Sequence, residues 1–162
     1  MTLKEWVVGF KALHEKARAG TLSPEGKGEY RAGRDELARA LLAGQRAQLR
    51  PGETPRQALR AARALQADLE WTTDKVRSVT LDISTGGFSA LLSKPPPRDD
   101  RVRAVLRMPG GAEPLSAEAR VAGVQVHPAA VRVAFAFTSI SEADRDRLEF
   151  LIFDTVLSHL AV

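Results

Sequence analysis

Cysteine is missing from the 162 residues, and with it go disulfide scaffolds, thiolate metal sites and cysteine nucleophiles. Histidine is nearly as scarce. His14, His127 and His159 stand on three separate segments without a carboxylate or second histidine at ligand spacing, so no metal site is expected. Aromatic side chains make up 6% of the chain and are not interleaved with arginines along a strand, which argues against a nucleic-acid-binding barrel. No apolar run approaches the roughly 20 residues of a membrane span, and the opening MTLKEWVVGF carries an acid and lacks a signal peptide's long apolar stretch. The expectation is a cytoplasmic protein without membrane insertion. Lysine is also rare: beyond Lys4, Lys11, Lys16, Lys27, Lys75 and Lys94, all of the 24 basic side chains are arginine. Residues 1–110 hold 20 basic and 13 acidic groups, whereas residues 111–162 hold four and seven. That bias suits an anionic ligand but is too diluted by acids for a dedicated nucleic-acid binder.

A chain of this length buries about 70% of its unfolded surface and needs neither disulfide nor structural metal. Residues 2–19 predict an amphipathic helix, with Leu3, Trp6, Val7, Phe10, Leu13 and Ala17 at three- and four-residue intervals. Thr2 and Glu5 fit a capping box, and Gly20 ends the helix. Ser23-Pro24-Glu25 then supplies an N-cap, a first-turn proline and a favourable charge for a second helix running to about Gln45. Gly26, Gly28 and Gly33 each cost about 1 kcal/mol in a helix interior, so this helix needs a packing partner. Its own hairpin, the following domain and a second copy of the chain, giving a homodimer, all remain open. The reading divides the chain into a helical hairpin (1–50), a linker (51–55) and a second domain (56–162).

Beyond Arg63 the pattern alternates: Leu65, Ala67, Leu69 and Trp71 face one way, and Gln66, Asp68 and Glu70 the other. Further strands are expected at 76–83, 88–92, 102–108, 115–126 and 131–138, separated by Thr73-Asp74, Thr85-Gly86-Gly87, Pro95-Pro96-Pro97, Pro109-Gly110-Gly111 and His127-Pro128. Six short strands with tight turns predict an antiparallel sheet closed into a barrel, because closure removes exposed edges. Ser141 caps a last helix whose stripe of Leu148, Leu151, Ile152, Val156, Leu157 and Leu160 reads as a lid on that barrel. The fold class is therefore α+β: a helical hairpin, a six-stranded barrel and a C-terminal helix.

Enzyme signals are poor. Asp82 and Ser84 have no histidine to act as base, and Thr85-Gly86-Gly87 leads into a strand rather than into a phosphate-binding helix. No catalytic residue is assigned. What stands out is a conjunction: Arg56 and Arg60 as RxxxR before the first strand, and Asp82, Ser84 and Gly87 as DxSxxG at the end of the second. Each motif alone has an ordinary explanation, since DxSxxG is what a hairpin turn looks like. Order, spacing and the intervening strand together resemble the PilZ domain, a family of bacterial receptors for cyclic di-GMP. The likeness covers residues 55–158 and takes in Val131-Arg132-Val133-Ala134-Phe135 and Ile140-Ser141-Glu142-Ala143-Asp144. Pro55 departs from the family, many of whose members carry another arginine there, so one or two bound ligand molecules remain open.

The resemblance implies a non-enzymatic receptor that binds cyclic di-GMP as a ligand, without a cofactor, and signals to a protein partner by changing conformation. The alternative is an interaction adaptor of the same fold that does not use the nucleotide. The residue chemistry agrees with the first. Guanidinium groups at Arg56 and Arg60 suit phosphate or the O6/N7 edge of guanine. Asp82 suits the guanine N1–H and N2 amine, Ser84 offers a hydroxyl, and Gly87 allows a close backbone approach or a positive φ. Residues 1–50 lie outside the likeness. Because Pro51–Pro55 is short, closure of the arginines on a ligand is expected to pull on the hairpin.

Overall fold

The computed structural model describes residues 1–47 and 59–160. Helix α1 (Leu3–Ala19) begins at the expected capping box: the Glu5 amide donates to Thr2 Oγ1 and the Thr2 amide to the Glu5 carboxylate. It closes on Gly20. Helix α2 (Pro24–Ala47) starts where Ser23 Oγ accepts the Gly26 amide at 3.0 Å. Six strands follow: β1 (Gln66–Trp71), β2 (Asp74–Ser84), β3 (Gly87–Leu92), β4 (Val102–Leu106), β5 (Leu115–Val126) and β6 (Val131–Ile140). The chain then enters α3 (Glu142–His159), with Ser141 Oγ accepting the Asp144 amide.

The sheet is a closed antiparallel barrel in the order β1-β2-β3-β6-β5-β4. Alternation does what the sequence promised: Ala67, Leu69 and Trp71 are buried, and their counterparts Ile83, Phe88, Ala104, Leu106, Val133 and Phe135 fill the interior. Three strands differ by two residues from the sequence reading, β6 because it runs on to Ile140, which pairs with Ala117. Strand β2 is longer, because a two-residue turn at Thr72–Thr73 lets Trp71 pair with Asp74. Strand β4 stops at Leu106, ahead of a 3-10 turn over Pro109–Gly111 in which Gly110 and Gly111 take positive φ.

The described residues form two compact units, one comprising 1–47, 59 and 153–160 and the other 60–152. The division falls inside α3. Residues of α3 up to Ile152 belong with the barrel unit, whereas Phe153 onward belongs with α1 and α2. Its buried residues, Leu148, Leu151, Ile152, Phe153, Thr155 and Leu157, accordingly occupy more than one face.

Within the helical unit the glycines of α2 find their use. The Phe10 ring lies where a Cβ on Gly33 would be, 2.7 Å from that point, so the missing side chain lets the aromatic pack against the helix backbone. Phe10 stacks on Trp6 and contacts Tyr30. His14 is buried and bridges all three helices: Nδ1 lies 2.6 Å from the Tyr30 hydroxyl and Nε2 lies 3.2 Å from Asp154 Oδ1. Asp154 lies 140 residues from His14 in sequence, so spacing along the chain did not foretell this contact. Burial pushes the His14 pKa below its ordinary 6.5, and the Asp154 hydrogen bond offsets this only in part. Asp154 also pairs with Arg18, and Lys11 Nζ donates to the Leu160 carbonyl at 3.0 Å. No helix among the described residues is long and apolar enough to cross a membrane, and none of their acidic and histidine side chains gather into a group of three that could hold a metal ion.

Candidate ligand-binding site

Four of the five residues singled out by sequence lie in the barrel unit: Arg60, Asp82, Ser84 and Gly87. Arg56 lies outside the described residues. On β2, Val79 and Leu81 point outward, so strict alternation would turn Asp82 into the barrel interior. It does not. The β2–β3 register shifts between Thr80 and Asp82, so that Thr80 opposes Ala90 while Asp82 opposes Ser89. This bulge keeps Asp82 on the outer face, where Ser84, opposite Gly87, joins it two residues later.

Arg60 is brought to the same place by main-chain pairing of the segment that follows it. Ala61 and Ile83 exchange two backbone hydrogen bonds, each 2.9 Å. Thr80 anchors the rest: its hydroxyl donates to the Arg63 carbonyl at 2.6 Å and accepts the Leu65 amide at 2.8 Å. Sequence reasoning missed Thr80, although a hydroxyl at an inward-facing strand position signals a need for a buried partner. So placed, Arg60 Nη1 lies 3.9 Å from Asp82 Oδ2. A second guanidinium, not assigned a role from sequence, reaches the same oxygen: Arg132 Nη2 on β6 donates to Asp82 Oδ2 at 2.9 Å. Asp82 is largely covered, with a side-chain exposure of 16%, and each arginine is at 38%.

Ser84 and Gly87 have structural duties in the hairpin. Ser84 Oγ accepts the Gly86 amide at 3.2 Å and donates to the Gly87 carbonyl at 3.3 Å, leaving one lone pair for anything else. Gly87 does not have positive φ, contrary to one of the two reasons offered for it from sequence. Its backbone runs so close to β6 that a Cβ would overlap the Phe135 carbonyl and sit 3.1 Å from Ala136 Cα. The missing side chain therefore serves strand packing. The outer face beside it is lined by small residues, with Ser89 opposite Ala134 and Gly87 opposite Ala136. Asp82 and the two arginines thus stand beside a face of small side chains and present charges of both signs there.

Comparison with known proteins agrees on the fold. The PilZ domain family model matches residues 54–154. No curated protein matches the chain's sequence. Among solved structures, the Bacillus subtilis inhibitor of motility MotI/DgrA aligns with a TM-score of 0.60 at 18% identity, over 67% of this chain and 54% of that one. The PilZ domain of Escherichia coli YcgR, solved with c-di-GMP, aligns with a TM-score of 0.52 at 18% identity, over 65% of this chain and 94% of that domain. The MrkH–c-di-GMP complex of K. pneumonia gives 0.56 at 17% identity, over 65% of this chain and 53% of that one. The chain thus spans about half the length of MotI/DgrA and MrkH.

Proposed function

The chain belongs to the PilZ domain family, and from that premise we propose that it is a cyclic di-GMP receptor whose role is binding and signalling rather than catalysis. The observation that carries the reading is the convergence of Arg60 and Asp82 on the outer face, achieved by a bulge in β2 and by the pairing of Ala61 with Ile83. An arginine can hold a phosphate or the O6/N7 edge of guanine, while a carboxylate accepts from N1–H and the N2 amine, a donor pair that adenine does not present. Arg56, four residues before Arg60, is the second arginine of the proposed RxxxR grip, and Ser84 and Gly87 shape the hairpin that floors it. Ordering the arginine-bearing segment around the ligand is the proposed conformational signal to a downstream protein.

Calorimetric titration tests this reading. Saturable binding of cyclic di-GMP is expected, in clear preference to GTP, GMP and cyclic di-AMP. Absence of binding at tens of micromolar, about −6 kcal/mol, rejects it and leaves the adaptor role; equal binding of cyclic di-AMP rejects the guanine-reading assignment of Asp82.

A further inference from the structure

Arg132 has no part in either signature motif, yet it makes the shortest ion pair to Asp82 among the described residues. Its position explains how. Arg132 stands on β6 opposite Leu91 of β3, and Asp82 stands on β2 opposite Ser89 of β3, so the arginine must cross an entire strand to reach the carboxylate. The crossing is open because the outer-face neighbours along the way are small: Ser89, whose Oγ lies 3.5 Å from Arg132 Nη2, and Ala134. A side chain laid flat across two strands loses rotamer freedom, which an incidental surface pair would not recover.

The two arginines at Asp82 are not equivalent. Arg60 precedes the segment pinned to β2, and in the proposed function it turns to the ligand's phosphate or guanine. If it were the sole partner, that movement would leave a largely covered carboxylate uncompensated. Arg132 is borne by a barrel strand and stays. Its bond also takes only Oδ2, and a carboxylate offers about four lone-pair sites over its two oxygens. Oδ2 can therefore keep Arg132 and accept one guanine donor while Oδ1 accepts the other. Resting on the cyclic di-GMP reading, we infer that Arg132 is a positioning residue: it fixes the plane of the Asp82 carboxylate so that both oxygens face the guanine N1–H and N2 amine together, and so sets specificity for guanine.

The test uses the full chain with two ligands, cyclic di-GMP and its inosine analogue cyclic di-IMP, which keeps N1–H and lacks the N2 amine. Wild type is expected to prefer cyclic di-GMP by about tenfold, the worth of one such hydrogen bond. Arg132→Met should weaken cyclic di-GMP by about tenfold or more and bring the two ligands to within about threefold of each other. Arg132→Lys, which keeps the charge without the planar fork, should recover part of the affinity and less of the preference. Equal weakening of both ligands by Arg132→Met would make Arg132 a general phosphate-attracting charge and overturn the positioning role, as would unchanged binding of both. Failure of wild type to bind cyclic di-GMP at all would instead overturn the reading beneath it. Should Arg132→Met lose its folded thermal transition, the same two-ligand ratio measured on Arg132→Lys and Arg132→Gln decides.

Discussion

At the scale of single residues, the proposed site separates side chains assigned to the ligand from those that hold the barrel. Arg60 and Asp82 converge on the outer surface, so Arg60→Ala and Asp82→Ala should each weaken cyclic di-GMP binding by about 1.5–3 kcal/mol, the range for hydrogen bonds to charged groups, with little change in melting temperature. Arg56→Ala is expected to behave alike. Gly87→Ala is the contrasting case: its methyl group would meet the β6 backbone, which cannot rotate away, so a stability loss of about 2 kcal/mol or more is expected with or without ligand. Titration and thermal melts on the same preparations check both halves, and a fully stable Gly87→Ala that merely fails to bind would contradict the packing account. His14 supplies a pH dependence of its own. Burial lowers its pKa in the folded state, so as pH falls through about 6.5 the unfolded chain takes up the proton first and stability declines, levelling off below the folded value. Denaturant titrations between pH 5 and pH 8 should show this decline in the wild type and lose this contribution in His14→Phe.

Between elements, what was legible in the sequence is what local chemistry decides. Capping at Thr2, Ser23 and Ser141 signed the three helix starts, alternation located the first strand, and turn signals marked off the other five. The bulge before Asp82 was not legible, because register belongs to the pairing with β3 and leaves no mark in the apolar pattern of Val79 and Leu81. Nor was the His14–Asp154 contact, which joins positions 140 residues apart, or the division of α3, since an apolar stripe announces burial without naming the partner. The candidate site was half legible: the motifs pointed to Arg60 and Asp82, whereas Arg132 and Thr80 act through strands that sequence order does not make neighbours. The glycines of α2 show the same limit and allow a direct check. All three read alike as helix-weakening, but a Cβ on Gly28 meets nothing while one on Gly33 meets the buried Phe10 ring. Gly28→Ala should therefore stabilise the protein by up to about 1 kcal/mol, and Gly33→Ala should destabilise it despite the better helix propensity, as read from denaturation midpoints.

Over the whole molecule, two units share one chain, and the covalent connections between them offer a route by which the proposed ligand signal can be tested. The chain passes from one unit to the other at Leu59–Arg60 and again within α3, a continuous helix whose residues to Ile152 belong to the barrel unit and whose residues from Phe153 belong to the helical unit. A ligand that binds only the folded barrel at 100 times its dissociation constant stabilises it by about 2.7 kcal/mol. If the barrel opened independently of the helices, that gain would stay with barrel amides. A helix cannot break at Phe153 without losing the hydrogen bonds of the surrounding turns, so opening of one unit is coupled to fraying of the other through α3. Hydrogen exchange with and without cyclic di-GMP should therefore show slower exchange at Arg60–Arg63 and Asp82–Gly87 and also in Phe153–His159 and α2 (Pro24–Ala47). The barrel amides that exchange by global opening should slow by up to about 100-fold at that ligand excess, and the helical amides by a smaller but measurable factor. Slowing confined to the motif segments, with α3 beyond Phe153 and the second helix unchanged, would show that the helical unit is a scaffold that does not sense the ligand.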